Sequence, residues 1–86
     1  MRISKILISA EVQEKIFKKH GIKREEIEEG LLQGNSKCFK TRTNRYLAIA
    51  HKNGYLTIVF GCRNSVAEIL TAYRSSDWQI RLYKRK

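Results

Sequence analysis

Proline is absent from this chain, and its five glycines are scattered. No segment therefore reads as a Pro- or Gly-rich linker, and the one end expected to fray is Arg85 and Lys86. Cysteine is scarce too. Cys38 and Cys62 are too few for the disulfide scaffold of a small secreted protein, so reduced, buried thiols are expected. They form no C-x-x-C pair, and with only His20 and His51 to join them the chain lacks a metal ligand set. Long apolar runs are missing as well. The apolar run Ile6 to Ile8 is short and soon followed by charges, so no signal peptide is expected, and no stretch approaches a transmembrane length. A cytoplasmic location with no membrane contact is the expectation. Neither paired carboxylates nor a Gly-rich phosphate loop occurs, so no cofactor is expected and any catalysis is expected to be metal-free.

Acid is the scarcest commodity. Eighteen Lys and Arg face eight Asp and Glu, a net charge of +10 on 86 residues. Such a domain repels itself and attracts polyanions over a Debye length, so a phosphate-bearing partner, most simply nucleic acid, is the first inference. The alternative is a basic but solvated surface. The charges are unevenly spread, which favours a partner. Glu11, Glu14, Glu25, Glu26, Glu28 and Glu29 are six of the eight acids, and beyond Asn44 only Glu68 and Asp77 remain. Eighty-six residues with 42% hydrophobic content make one domain, 1–86, with one modest core. A deep pocket has little room; a groove or sheet face is the expected working surface.

Ile3 to Ile8 reads as a short strand or extended lead-in. Ser9 is an N-cap for a helix from Ala10 to about Lys19, with Glu11 in its first turn and Gly21 beyond its basic end. A second helix covers about Arg24 to Gln33 with Ile27 and Leu31 as its buried stripe. Lys37 to Thr43 is an edge strand or an ordered basic loop. From Arg45 the period changes to two. Arg45–Lys52 and Tyr55–Cys62 flank Asn53-Gly54, the strongest short-range hairpin signal. A two-residue turn predicts Lys52 facing Tyr55, Ile49 facing Ile58 and Leu47 facing Phe60, with His51 on that same core side opposite Leu56. Arg63-Asn64-Ser65 reads as a turn, and Val66 to Tyr73 as a third strand with Leu70 and Ala72 sharing one side. Ser75-Ser76-Asp77 offers caps for a helix from Trp78 to about Lys84.

The architecture expected is α+β: two N-terminal helices packed on a small antiparallel sheet, with a short C-terminal helix. The helices are assigned to the Leu47/Ile49/Ile58/Phe60 face. The opposite face then becomes an open platform, rimmed by Lys40, Arg42, Arg45, Arg63 and Arg74, with Tyr46, Tyr55 and Tyr73 among them; Arg81 joins this RNA-binding set. Cations for phosphates and rings for splayed bases suit single-stranded RNA. For Tyr46 and Tyr55 sheet propensity is explanation enough. His20 has two readings, a general acid or base and a helix cap interacting with the dipole. Arg74 likewise reads as a stabiliser of transition-state charge or as a phosphate or Asp77 contact.

Lys19-His20-Gly21-Ile22 followed by Glu25-Glu26, then a strand hairpin, then Ile69-Leu70-Thr71-Ala72-Tyr73-Arg74 and a terminal helix with Tyr83, resembles the BrnT-type toxins of bacterial toxin–antitoxin pairs. The resemblance runs from about Ser9 to Tyr83 and extends to the RelE-like nuclease superfamily. It implies a RelE-like fold, metal-independent endoribonuclease activity on RNA, mRNA among the substrates, and a cognate antitoxin forming a hetero-oligomer with the chain. By that similarity His20 falls on the family's Lys-His-Gly motif. Thr71, Tyr73 and Arg74 fall on its late strand, where the family tends to have Ser-Ala-Arg and this chain departs with Thr-Ala-Tyr-Arg. These four residues are the implied catalytic set. Two other functions stay open: a non-catalytic RNA- or ribosome-binding module, and a protein-interaction domain whose acidic partner covers the basic face.

Overall fold

The computed structural model describes residues 3–33, 36–42, 44–51 and 54–85. Its elements run β1 (Lys5–Leu7), α1 (Ala10–His20), α2 (Arg24–Leu32), β2 (Ser36–Arg42), β3 (Arg45–His51), β4 (Tyr55–Arg63), β5 (Val66–Arg74) and α3 (Asp77–Lys84). The class is α+β, but the sheet is mixed rather than antiparallel. Five strands lie in the order β1-β5-β4-β3-β2, and β1 runs parallel to β5. That strand precedes both early helices and brings Ile6 into the core opposite Ala67.

The helix ends follow local chemistry. Ser9 accepts from the Val12 backbone N–H at 3.1 Å, and Gly21 adopts φ +67° at the end of α1, a conformation that costs a side chain most. Glu26 reaches back to the Lys23 backbone N–H at 3.2 Å, which satisfies one orphan donor of α2.

The β3–β4 register differs by one residue from the two-residue expectation. The closing pair is His51 with Tyr55, and Ala48 faces Ile58, Ile49 faces Thr57 and Leu47 faces Val59. Lys52 and Asn53, half of the expected turn, lie outside the described residues. The two-residue connection occurs instead between β4 and β5. There Arg63 pairs with Val66, and Asn64 and Ser65 both take positive φ, 54° and 65°, as a type I′ turn requires.

A single-residue slip exchanges the two faces of a strand. Ala48, Ala50, Leu56, Ile58 and Phe60 therefore meet α1 and α2, while Ile49 and Thr57 face the other way. Helix approach explains the choice. A methyl added at Gly30 of α2 would lie 2.9 Å from the Ala50 Cβ, so α2 rests directly on the small residues of β3. Large aliphatics there would hold it off. In β5 a bulge at Leu70 breaks the alternation, because Val59 pairs with Thr71 and Phe60 with Ile69. Ile69 and Ala72 consequently share the helix side, both buried, in place of the expected Leu70 and Ala72.

The opposite face is not the open platform expected from the sequence. α3 crosses it and buries Ile49, Thr57 and Gln79, each at most 2% exposed. Among the described residues, the end carrying Arg45, Gly61 and Glu68 stays open as a groove.

Candidate functional site

β1 pairs with β5 only as far as Glu68, so the outer edge of β5 beyond that point is free of strand partners among the described residues. α1 packs along it. Between them lies a cleft of about 180 Å³ lined by Lys15, Ile16, Lys19, His20, Leu70 and Thr71. His20 ends α1, exposed, with its ring centroid 6.2 Å from that of Tyr73. Thr71 and Tyr73 alternate onto one face of β5, so His20, Thr71 and Tyr73 are gathered at one place.

Tyr73 is held from behind. Gln79 Oε1 accepts from Thr57 Oγ1 at 2.9 Å and from the Ser76 backbone N–H at 3.0 Å. With the carbonyl end so fixed, the Gln79 amide nitrogen donates to Tyr73 Oη at 3.1 Å. Thr57 has one hydroxyl proton and gives it to Gln79, so Ser75 is the donor in the 2.7 Å contact between Ser75 and Thr57. Tyr73 thus accepts from the protein interior and keeps its own phenolic proton for another acceptor. Sequence reasoning missed Gln79. The Ser76-to-Gln79 spacing of a capping box was a legible signal for its cap role, though not for its reach to Tyr73.

Leu70, the bulge residue, also lines a second and larger space. This groove, about 570 Å³, is lined by Lys5, Arg45 and Arg63 together with Leu7 and Leu70; Glu68 is the acid among its lining residues. Arg42 pairs with Arg45 across the neighbouring strand and adds charge at the same end. The groove and the cleft share Leu70 as a lining residue, and both carry basic side chains.

The remaining candidates lie elsewhere. Arg74 alternates onto the helix-covered side, where its guanidinium meets Glu26 at 3.3 Å, rather than Asp77. Lys40 is paired with Tyr46, whose ring stacks on core residue Phe60 at 5.7 Å, so Lys40 belongs to the helix side of edge strand β2. Arg81 is exposed on α3. Lys5 and Lys15 were not singled out from sequence, and Lys19 only as part of the Lys-His-Gly motif; what joins them to the site is the parallel pairing of β1 and the packing of α1. His51, assigned to the core side by the expected register, is exposed on the α3 side of the sheet. Of the two thiols expected to be buried, Cys38 is exposed on edge strand β2 and Cys62 is half-buried. Among the described residues no group of three or more His, Cys, Asp and Glu is arranged to hold a metal ion. No described helix is long and apolar enough to cross a membrane.

No protein-family profile matches the sequence, and no curated protein matches it either. Among solved structures the chain is similar to the crystal structure of the Brucella abortus ribonuclease toxin BrnT. The TM-score is 0.69 with 22% identity over 85% of this chain and 97% of that one. The chain shares its fold with BrnT. The resemblance read from Lys19-His20-Gly21 and the late strand therefore holds at the level of architecture, across the region where BrnT and this chain align.

Proposed function

We propose that this chain is the toxin of a toxin–antitoxin pair and acts as a metal-independent endoribonuclease, with mRNA as its substrate. The observation that carries this reading is a His20–Thr71–Tyr73 cleft that shares Leu70 with a basic groove, on a fold shared with a ribonuclease toxin. RNA supplies its own nucleophile. The 2′-oxygen bonds to the adjacent phosphorus, the bond from phosphorus to the 5′-oxygen breaks, and a 2′,3′-cyclic phosphate and a 5′-hydroxyl result. His20 takes the 2′-hydroxyl proton, and Tyr73, whose phenolic proton is free of the Gln79 contact, delivers one to the departing 5′-oxygen. Thr71 and the ammonium groups of Lys15 and Lys19 face the developing phosphorane charge. Arg45, Arg63 and Arg42 hold the flanking backbone. The chain works in the cytoplasm as a single domain, restrained by an acidic antitoxin.

One observation favours the second reading, a non-catalytic RNA-binding module. Arg74 is engaged by Glu26 on the other side of the sheet, so this late-strand arginine brings no charge to the cleft. Induction of the chain alone in a bacterial host decides between them. Growth arrest with discrete RNA fragments, relieved by His20→Ala and weakened at least about 100-fold in purified cleavage, is the expected result. Normal growth with intact RNA, alongside salt-dependent RNA binding, would establish the binding module instead.

A further inference from the structure

The exchanged register brings a second group of rings together on the α3 side, at the opposite end of the β3–β4 ladder from the groove. His51 and Tyr55 are the closing pair of β3 and β4 and stack at 4.3 Å with 18° between their planes. Tyr83 of α3 braces both edge-on, at 6.2 Å from His51 and 5.4 Å from Tyr55. Lys37 fixes Tyr83 in turn: its Nζ donates to the Tyr83 carbonyl at 2.6 Å and lies 4.7 Å from the ring centroid. Lys84, exposed, holds its ammonium 5.8 Å from the Tyr55 ring. The His51 ring is exposed, so this short stack ends in solvent instead of in the core.

We propose that His51, Tyr55 and Tyr83 form a stacking platform for an unpaired nucleobase, with Lys84 beside it for the adjoining phosphate. The proposal rests on the reading that the chain handles RNA and names a subsite of it. A base continues the stack begun by Tyr55 and His51. Rings already braced at fixed angles lose little freedom when it arrives, and every base has a face to offer, so the site selects unpaired nucleotides over duplex. The platform is assigned to substrate hold, and bond breaking stays with His20 and Tyr73.

The test is binding of a fluorescent 2′-O-methyl oligonucleotide, which this chemistry cannot cleave, compared with an abasic strand of equal phosphate count, over a salt series. His51→Ala and Tyr55→Leu each weaken binding of the base-bearing strand roughly tenfold, leave its salt slope unchanged and leave the abasic strand unaffected. Tyr55→Phe retains the affinity. Lys84→Ala lowers the salt slope by about one for both strands. Wild-type affinity in His51→Ala, equal losses on both strands, or no binding by the unchanged chain would each overturn the platform. His51 is exposed, so its variant decides the matter even where Tyr55→Leu fails to fold. Failure of RNA cleavage with these binding results intact would remove the ribonuclease reading and leave the platform standing.

Discussion

The two faces of the sheet are built on different physics. The side under α1 and α2 is dry and aliphatic, with Ile6, Ile16, Ile22, Ile27, Ile58, Phe60 and Ile69 all under 5% exposed. Its cohesion comes from apolar area and close contact, as the seat of Gly30 on Ala50 shows. The side under α3 is pinned by directed bonds. Thr57 is fully buried and Gln79 nearly so, and each is satisfied by the other, by Ser75, by Ser76 and by Tyr73. The Arg45 end of that side stays open as a groove lined by basic and apolar residues. The lesson is a division of labour. Non-directional burial holds the fold together on one side, and oriented polar groups on the other hold side chains at set angles where a ligand has access.

This contrast is breakable. Phe60→Ala removes the largest fully buried side chain of the dry face and is expected to cost about 3–5 kcal/mol in denaturant unfolding. Gln79→Leu makes α3 apolar against the sheet but strands the Ser76 N–H and leaves the Thr57 hydroxyl with Ser75 alone. It is expected to cost about 1–3 kcal/mol, less than Phe60→Ala, and to reduce RNA cleavage through the unanchored Tyr73. Should Gln79→Leu prove the more damaging to stability, the directed network rather than the aliphatic layer holds the domain. The smallest effect is expected at the half-exposed pair of Arg74 and Glu26. Arg74→Ala should cost about 0.2–1 kcal/mol, an amount that shrinks in 1 M salt, and it should leave cleavage near the wild-type rate. A large loss of cleavage in Arg74→Ala with stability intact would show that this arginine leaves Glu26 and works in the cleft.

Much of the architecture was legible in the chain. The Ser9 cap, the Gly21 stop, the helix of 24–32, the three later strands and α3 all follow from local signals, because caps, turns and periodicity act over a few residues. The slip in β3–β4 register was not legible, since Asn53-Gly54 argued for a two-residue turn, which set Leu47 and Ile49 rather than Ala48 and Ala50 toward the helices. Only the depth to which α2 settles, set by Gly30, makes small residues the better fit. The same holds for the bulge at Leu70, which no alternating pattern announces. Of the candidate site, His20, Thr71 and Tyr73 were implied by the family resemblance, and the fold places them near one another. Arg74, one residue on, was drawn to the opposite side by strand alternation.

By itself the sequence determined the charge, the α+β class and the order of the elements from α1 onward, because composition and short-range periodicity carry them. Tertiary structure alone decided which side of each strand faces the helices and that β1 pairs parallel with β5. It also decided that α3 closes half of the platform, and that His51 stands on Tyr55 in solvent instead of in the core. These are contests between alternative packings of the same strands. Non-local contacts settle them, through the volume available between helix and sheet and the requirement that each buried polar group find a partner.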